Sequence, residues 1–353
     1  MRASAKVVVV GSVMQDMTFA CEHFPASGQT VMARLAVGQG GKGSNQAIAC
    51  GRTGVATTFV GAAGRDPFAA RVRALYRKER IGCRLITKAG AATGTAVILI
   101  NRSGQNEIVI EPGANALLAP EDLPRSLLTG AAVVMTQLEA GLAATAHVLE
   151  KGRAAGVTTI LNPAPMRADF PPELLRHADI LVPNETEFVE LVRRLPQLRR
   201  PDFDEKALHA LDWDDLHALC RAFGVPTLIV TLGARGCFVS EAGRHLFIPA
   251  HAGVRVVDTT GAGDAFCGGF AAGLVRHRGV VVAAAHLGSA VAALSITKSG
   301  AAAAMPTRRE LRDFLRNGAA VRPIRPIGKI RRQRGASGSQ VRRQAPSSRP
   351  PAV

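Results

Sequence analysis

Short apolar runs recur along the chain, and most of them place several Val, Ile, Leu or Ala residues in succession. Strands that are buried on both faces of a sheet show this continuous pattern, whereas half-exposed strands alternate apolar with polar residues. We therefore predict buried strands at residues 6–12, 57–63, 131–137, 158–164, 179–184, 227–233 and 236–240.

Segments with helical character separate these runs, at residues 44–53, 66–79, 141–155, 185–194, 205–222, 263–276 and 281–296. Regular alternation of strands and helices predicts an α/β fold, with a doubly wound, mostly parallel sheet flanked by helices. Ligands of such sheets bind beyond the carboxyl ends of the strands. The residues at or just after predicted strand ends are Asp16, Asn162, Asn184, Gly233 and Asp258.

Two segments interrupt the alternation. Residues 13–36 and 93–111 have β character without intervening helices, and the second reads as a hairpin around residues 102–106. We predict that the two segments form a small β-sheet lid over the main sheet. Residues 195–212 are polar and suggest a surface insertion.

The chain has 353 residues, of which 47% are hydrophobic and 20% charged. This composition is typical of a globular protein, and we place one domain at residues 1–317. No apolar run reaches the roughly 18–20 residues that span a membrane, and the first residues do not resemble a signal peptide. The six cysteines are scattered without a C-x-x-C pair, so we expect reduced thiols in a cytoplasmic protein.

The net charge of +17 raises the hypothesis of a nucleic-acid partner. Nine Lys and Arg residues and no acid lie in residues 321–353, so the rest of the chain carries about +8 (17 minus 9). Residues 318–353 are rich in Pro, Ser and Arg, which predicts a disordered basic tail. The tail could bind nucleic acid, but a solvated extension without a specific partner is the favoured interpretation.

Residues 38–45 read GQGGKGSN and match two phosphate-binding patterns in part. Gly38, Gly40 and Gly43 satisfy the G-x-G-x-x-G of dinucleotide-binding proteins, but the first predicted strand ends well before Gly38. Lys42 suggests a P-loop, but Gly43 occupies the position where that loop needs Ser or Thr. The pattern therefore gives little support to an NAD-dependent enzyme, and the role of these glycines stays open at this point.

Residues 257–270 read VDTTGAGDAFCGGF, a turn of small residues followed by an apolar helix. Amide groups at a helix N-terminus attract anions, so Gly261, Ala262 and Gly263 could stabilise charge on a transferred phosphoryl group. Asp264 stands in the first helical turn, where a carboxylate either caps the helix or accepts a proton from an attacking hydroxyl. Spacing alone does not decide between these two roles.

Both stretches resemble signatures of PfkB-type carbohydrate kinases. DTTGAGDAFCGGF resembles the C-terminal signature and GGKGSNQAIACGRTG the N-terminal one, with LNPAP, VPNETE and VTLGARG between them in the family's order. EPGANALLAP and TQLE are similar to segments of ribokinases in particular. The resemblance extends over about residues 6–315. It implies a kinase that transfers the γ-phosphate of ATP to the 5-hydroxyl of D-ribose, with a lid whose strands often pair two subunits into a homodimer.

The resemblance also implies roles for single residues. Asp264 would be the catalytic base, with the backbone amides of residues 261–264 as the anion hole. Asn184 and Glu187 would organise the phosphates and Mg²⁺, the latter through water. The residues implied to contact the nucleotide are Asn184, Thr231, Leu232, Gly233, Ala234, Arg235, Gly236, Gly263 and Ser289.

A potassium ion beside the anion hole is implied as well, held largely by backbone carbonyls. The matching positions are Asp258, Thr260, Ser295, Lys298, Gly300 and Ala304. Ala304 departs from the family pattern, because a residue with a hydroxyl group is typical there.

The sugar must be bound by polar groups, because its hydroxyls cannot be buried unpaired. The contacts implied by the resemblance come from Asp16, Gly41, Lys42, Gly43, Ser44, Asn45, Glu139 and Asp264. The family segment is usually G-S-x-N-x-D, whereas GSVMQD places Met14 at the Asn position, and Met cannot supply that hydrogen bond. Gln15 could rotate in and compensate; otherwise the substrate is a deoxy-sugar, a modified pentose or a nucleoside.

Three functions follow from these observations. The first is an ATP-dependent ribose kinase, and the second is a PfkB kinase for 2-deoxyribose, a nucleoside or a ketose. The third is a catalytically dead kinase fold that binds nucleic acid. A dead fold is expected to have lost catalytic residues, whereas Asp264, Lys42 and Asn45 are all present.

Overall fold

The computed structural model describes residues 6–316. The predicted domain boundary at residue 317 and the predicted basic tail lie outside these residues and stay predictions. The strands are β1 (Lys6–Val10), β2 (Met14–Cys21), β3 (Ala33–Gly40), β4 (Thr57–Ala63), β5 (Gly82–Thr87), β6 (Gly94–Ile100), β7 (Asn106–Glu111), β8 (Ala131–Thr136), β9 (Thr158–Leu161), β10 (Ile180–Leu181), β11 (Thr227–Thr231), β12 (Gly236–Glu241) and β13 (Arg244–Pro249). The α-helices are α1 (Lys42–Arg52), α2 (Pro67–Glu79), α3 (Leu142–Ala154), α4 (Glu185–Arg194), α5 (Glu205–Ala210), α6 (Trp213–Arg221), α7 (Ala262–Arg276), α8 (Val281–Ser295) and α9 (Arg308–Arg316).

The main sheet has nine strands in the order β13-β12-β11-β10-β9-β8-β1-β4-β5. Adjacent strands run parallel, except for the pairs β11–β12 and β12–β13. The chain adds β4 and β5 on one side of β1 and then continues on the other side with β8. The order reverses at β1, and in such sheets the ligand crevice lies at the carboxyl end of the strand where the order reverses. The predicted doubly wound α/β fold is confirmed.

The central strand β1 is apolar throughout because its alternate side chains enter different cores. Val7 and Val9 pack in a cluster with α1, α7 and α8. Val8 and Val10 pack on the opposite face, in a cluster with residues of α3. Helices on both faces leave no solvated side, and this burial explains the continuous run KVVVV.

The smaller sheet has four strands in the order β3-β2-β6-β7, built from the two segments that interrupt the alternation. Strand β2 pairs antiparallel with β3 and parallel with β6. Strands β6 and β7 form the predicted hairpin, whose turn is closed by hydrogen bonds between Asn101 and Gln105. The expected second sheet is therefore confirmed.

Some elements differ from the sequence prediction. Strands β5 and β13 and helix α9 were not anticipated, and the single helix expected at 205–222 is two helices. Leu211 adopts an extended conformation that ends α5, and Asp212 caps α6 by accepting from the Asp215 amide. The prediction of a surface insertion at 195–212 is wrong in part, because Leu195 and Leu208 are buried in the core beside α4 and α6.

Helices α1 and α7 lie unusually close to each other. A Cβ atom added to Gly268 of α7 would lie 2.4 Å from the backbone carbonyl oxygen of Gln46 in α1. Only glycine permits this approach, which brings the first turns of the two helices together at the crevice. The residues of α1 that are predicted to bind the sugar therefore lie next to the predicted catalytic base in α7.

Candidate active site

The glycines of GQGGKGSN allow backbone segments to pack against each other. Gly41 has a φ of 88°, and an added Cβ would lie 2.8 Å from the Cα of Val13. An added Cβ on Gly43 would lie 2.7 Å from the Ser12 amide nitrogen. The turn from β3 into α1 is thus pressed onto the segment that follows β1, and this contact directs Lys42 and Asn45 into the crevice.

Asp264 lies in the first turn of α7 and is almost completely buried. Its Oδ2 accepts a hydrogen bond from Asn45 Nδ2 at 2.9 Å, and its Oδ1 accepts one from Gln46 Nε2 at 3.0 Å. Asn45 was anticipated from the sequence, but Gln46 was not. The available signal was a glutamine beside the apolar run Ala47–Cys50, where a buried amide needs polar partners.

The turn before Asp264 has the conformation expected of an anion site. Gly261 adopts a left-handed φ of 76°, and the next amides begin a helix and have no acceptor within it. The Ala262 amide donates to the Thr259 carbonyl at 3.1 Å, so it stabilises the turn itself. An added Cβ on Gly263 would meet no atom within 4 Å, so the space beside this turn is open.

On the other side of the crevice, Glu139 connects the segment after β1 to the start of α1. Its Oε2 accepts from the Ser12 hydroxyl at 2.6 Å and from the Lys42 amide at 2.9 Å. Burial raises the pKa of Glu139 above its usual value. Burial alone would lower the pKa of Lys42, but the carboxylates of Asp264, Glu139 and Glu187 raise it overall. The Lys42 ammonium is therefore held in its charged form.

Asp16 stands on β2 with its carboxyl group over Gly40, where an added Cβ would lie 2.1 Å from either oxygen. Burial, followed by the nearby charges of Glu139 and Asp264, raises the pKa of Asp16 to about 6. Asp16 therefore faces the same crevice as Asp264.

Met14 and Gln15 point in different directions. Side chains alternate along a strand, so Met14 lies on the same face of β2 as Asp16, and it is only 2% exposed. Gln15 lies on the opposite face, where its Nε2 donates to the Gly38 carbonyl. The idea that Gln15 compensates for Met14 is therefore not supported by this conformation.

Asn45 Oδ1, on the amide that contacts Asp264, is buried and has no hydrogen-bond partner among residues 6–316. The Ser44 hydroxyl, by contrast, lies beside the buried Tyr76 hydroxyl in the core and not at the crevice. The Ser44 amide donates to the Ser12 carbonyl at 2.9 Å, which fixes this turn. Buried polar atoms are usually paired, so an unpaired amide oxygen beside Asp264 fits a ligand that carries hydroxyl groups.

The predicted nucleotide residues follow β11. Thr231 forms a bridge to Asn184. Gly236 has a φ of 120°, and an added Cβ there would lie 2.0 Å from the Ile248 carbonyl oxygen, so both its conformation and its packing require glycine. Arg235 lies 5.5 Å from the ring centre of Trp213 and contacts His209, neither of which was anticipated. Ser289 is half-buried in α8, and this helix packs against β12.

Asn184 and Glu187 form a reciprocal cap at the start of α4. Asn184 Oδ1 accepts from the Glu187 amide at 2.8 Å, and Glu187 Oε2 accepts from the Asn184 amide at 2.9 Å. Burial raises the pKa of Glu187. Within residues 6–316 no three His, Cys, Asp or Glu side chains converge as a metal-binding group. A Mg²⁺ ion at Glu187 would need phosphate and water ligands, which this ion favours.

The predicted potassium positions come together from two segments. Asp258 accepts from the Thr260 amide at 2.9 Å and from the Gly300 amide at 2.8 Å, and its own amide donates to the Ile296 carbonyl. These hydrogen bonds lower the pKa of Asp258 although burial opposes them. The remaining side chains are engaged elsewhere or apolar: Ser295 donates to Ala292, Lys298 pairs with Glu310, and Ala304 is buried. The groups left to hold such an ion are the backbone carbonyls of these residues and the Asp258 carboxylate.

Comparison with known proteins gives a consistent picture. Residues 4–308 match the sequence model of the pfkB family carbohydrate kinases. A ribokinase of Staphylococcus aureus is 35% identical over 312 residues, which cover 87% of this chain and 98% of the relative. A deoxyribokinase of Salmonella typhi is 31% identical over 316 residues, which cover 88% and 98%. The solved structure of Arabidopsis thaliana ribokinase complexed with ribose and ATP superposes with a TM-score of 0.73 at 30% identity, covering 89% of this chain and 99% of that one.

The raised pKa of Asp16 predicts a change in stability. A carboxyl group whose pKa is raised in the folded state favours folding at pH below its unfolded value of 3.8, and this contribution is lost as the pH rises through about 6. We expect Asp16→Asn to be more stable than the wild type at pH 7.5, by roughly 1–3 kcal/mol. The difference should shrink toward pH 4. Urea unfolding at several pH values measures it, and exposed Asp202→Asn serves as the control. A difference that does not vary with pH contradicts the assignment.

Proposed function

This chain belongs to the pfkB family of carbohydrate kinases, and from this premise we propose that it transfers the γ-phosphate of ATP to the 5-hydroxyl of D-ribose. The observation that carries the proposal is the buried carboxylate of Asp264. It lies at the N-terminus of α7, beside the open turn of Gly263 and in contact with Asn45.

In the proposed reaction Asp264 acts as the general base. The 5-hydroxyl oxygen attacks the γ-phosphorus as its proton passes to Asp264, the new P–O bond forms, and the bond to the bridging oxygen of ADP breaks. Amides of residues 261–264 stabilise the charge on the transferred group, because they lie at the positive end of the α7 dipole. The Ala262 amide is the least available of these amides for the phosphoryl group, because it already donates to the Thr259 carbonyl.

The sugar would be bound by the polar residues around the crevice. Asp16 and Glu139 can accept hydrogen bonds from the sugar hydroxyls. Lys42 and Asn45 can donate hydrogen bonds to the sugar oxygens. The glycines at 41 and 43 bring the backbone close enough for these contacts, and Asn45 contributes an unpaired amide oxygen. Each of these groups borders the crevice that contains Asp264.

We assign the nucleotide to Asn184, the loop 231–236, Gly263 and Ser289. A Mg²⁺ ion at Glu187 would neutralise phosphate charge, and K⁺ at the carbonyls around Asp258 would support the anion hole. The K⁺ proposal is tested by whether ATP consumption is faster in K⁺ than in Na⁺ at equal concentration.

We also infer a cytoplasmic protein, supported by the six free cysteines, and cell fractionation tests this inference. Among residues 6–316 no helix has the length and apolar character that a membrane crossing requires.

We expect Asp264→Asn to lower kcat about 10²–10⁴-fold while leaving ATP affinity nearly unchanged, because the amide cannot accept the proton. Trp213 is the one tryptophan of the chain and lies against Arg235 of the nucleotide loop, so its fluorescence can report ATP binding. Asp169→Asn, at a surface carboxylate paired with Arg167, should behave like the wild type. An active Asp264→Asn enzyme would show that the base lies elsewhere.

A second candidate substrate is 2-deoxy-D-ribose, and Met14 is the observation that favours it. Met14 is buried and shares the face of β2 with Asp16, while Gln15 is bound to Gly38 on the other face. A thioether offers no hydrogen-bond donor and only a weak acceptor, so a pentose with one hydroxyl fewer suits it better than ribose. A relative of this chain carries the name deoxyribokinase.

Met14→Asn should raise kcat/KM for D-ribose relative to 2-deoxy-D-ribose about tenfold, since one hydrogen bond in a buried site is worth roughly 1–1.5 kcal/mol. ATP consumption with D-ribose, 2-deoxy-D-ribose, D-fructose and nucleosides measures the ratio. Met166→Asn is the control, because Met166 is a partly buried methionine that packs against the core beside α4, outside the small sheet. An unchanged ratio would mean that residue 14 does not touch the sugar. No turnover with any of these substrates would refute the proposed function.

We further propose a homodimer through the outer face of the small sheet. The register aligns Val37, Met17, Val97 and Val109 in one row across the strands, on the face opposite Asp16. Val109 is 72% exposed, and Leu35 extends the same apolar face. The edge strands β3 and β7 also have unpaired backbone groups, which favour pairing with another sheet.

Val109→Lys should convert a dimer to a monomer, because it places a charge in the middle of the proposed apolar contact. Sedimentation velocity at micromolar concentration measures the change. Val280→Lys, at an equally apolar exposed position at the start of α8, should leave the assembly unchanged. A wild-type protein that sediments as a monomer contradicts the proposal.

A further inference from the structure

Gln46 is fully buried in α1, and every hydrogen-bonding group of its side chain is used. Its Nε2 donates to Asp264 Oδ1 and to Asn162 Oδ1, each at 3.0 Å. Its Oε1 accepts from Gln137 Nε2 at 2.6 Å. A primary amide has two donor hydrogens and one acceptor oxygen, so this arrangement satisfies the group completely.

The direction of this chain of amides is fixed by a backbone carbonyl. Asn162 Nδ2 donates to the Val182 carbonyl at 2.8 Å, and a carbonyl can only accept. Asn162 must therefore present its oxygen to Gln46, so Gln46 must present its nitrogen to both Asn162 and Asp264. The opposite orientation would place three acceptor oxygens together without a proton.

This arrangement leaves one buried oxygen of Gln137 unpaired, and packing alone does not explain why an amide side chain stands there. Gln137 Oε1 is buried and has no hydrogen-bond partner among residues 6–316. It lies against Gly11, where an added Cβ would be 2.0 Å away. An unpaired buried acceptor destabilises a protein, and an apolar residue of similar size would avoid this. The Gln137 amide is nevertheless present, and its nitrogen donates to Gln46.

We propose that Gln46, oriented by Asn162 and Gln137, is a positioning residue for the base Asp264. Its amide donates to Oδ1 and thereby fixes the orientation of the carboxylate. Oδ2, which Asn45 now contacts, is then the oxygen that receives the proton of the substrate. This inference rests on the proposed function and adds the means by which the base is oriented.

Other charged or titratable groups also surround Asp264. The carboxyl groups of Asp16, Glu139 and Glu187, the Lys42 ammonium and the Cys267 thiol all lie near enough to interact with it. Only Gln46 and Asn45 donate hydrogen bonds to its carboxylate within residues 6–316. A substitution at Gln46 therefore changes one contact of the base and leaves the other ionisable groups in place.

Gln46→Glu is the sharpest test, because the Glu side chain has the same size and shape as Gln but replaces the amide donor with a second carboxylate. Two carboxylates at this distance share a proton, so the base is blocked at neutral pH. We expect kcat at pH 7 to fall at least tenfold, the acid limb of the kcat–pH profile to move up by about one pH unit or more, and KM for ATP to stay within about twofold. Gln197→Glu on the surface controls for the change in net charge.

Gln46→Met keeps the test decisive if the Glu variant does not fold. It removes the donor without adding charge, and thermal unfolding checks its structure. We expect kcat to fall at least about tenfold, with ATP affinity retained by Trp213 fluorescence. A folded variant whose kcat and pH profile match the wild type would overturn the proposal. An inactive wild type would instead refute the proposed function, so the two failures are distinguishable.

Discussion

The close contact between α1 and α7 is the constraint on which the whole site depends. Gly268 lets the backbones of the two helices approach until only a hydrogen atom fits between Cα and the facing carbonyl. Asn45 and Asp264 are 219 residues apart in the chain, and this contact brings them within hydrogen-bonding distance. The geometry of the base therefore depends on packing between helices, and a side chain at position 268 would separate groups that the chemistry needs together.

The same packing concentrates negative charge. Carboxyl groups of Glu139, Asp264 and Glu187 surround the Lys42 ammonium, and Asp16 lies near Glu139 and Asp264. The pKa of each of Asp16, Glu139 and Glu187 is raised mainly by burial. A nucleotide brings further negative charge to this crevice. Its binding therefore needs positive countercharge, which the proposed function assigns to cations and to the amides of α7. Such a site is expected to lower the stability of the ligand-free protein in exchange for activity.

The two faces of the small sheet carry different side chains, because side chains alternate along each strand. One face carries Met14 and Asp16 toward the crevice, and the other presents the row that contains Val37 and Val109. A change in the position of this sheet moves both faces together. If both proposals hold, the sugar contacts and the subunit contact lie on opposite faces of one sheet, so a shift of this sheet would affect both.

The sequence by itself determined the α/β class, the second sheet and most of the residues around the crevice. Doubly buried strands and short glycine motifs leave local patterns, so β1, Lys42 and Asp264 were all accessible to prediction. Gln46, Gln137, Ser12 and Trp213 were missed, because their partners lie far away in the chain. The apolar run beside Gln46 indicates that its amide is buried, but it does not identify the partners of that amide. The orientation of Met14 and Gln15 was also decided only by tertiary structure. Strand pairing sets which face of β2 enters the crevice, and a shift of one residue would exchange the two side chains.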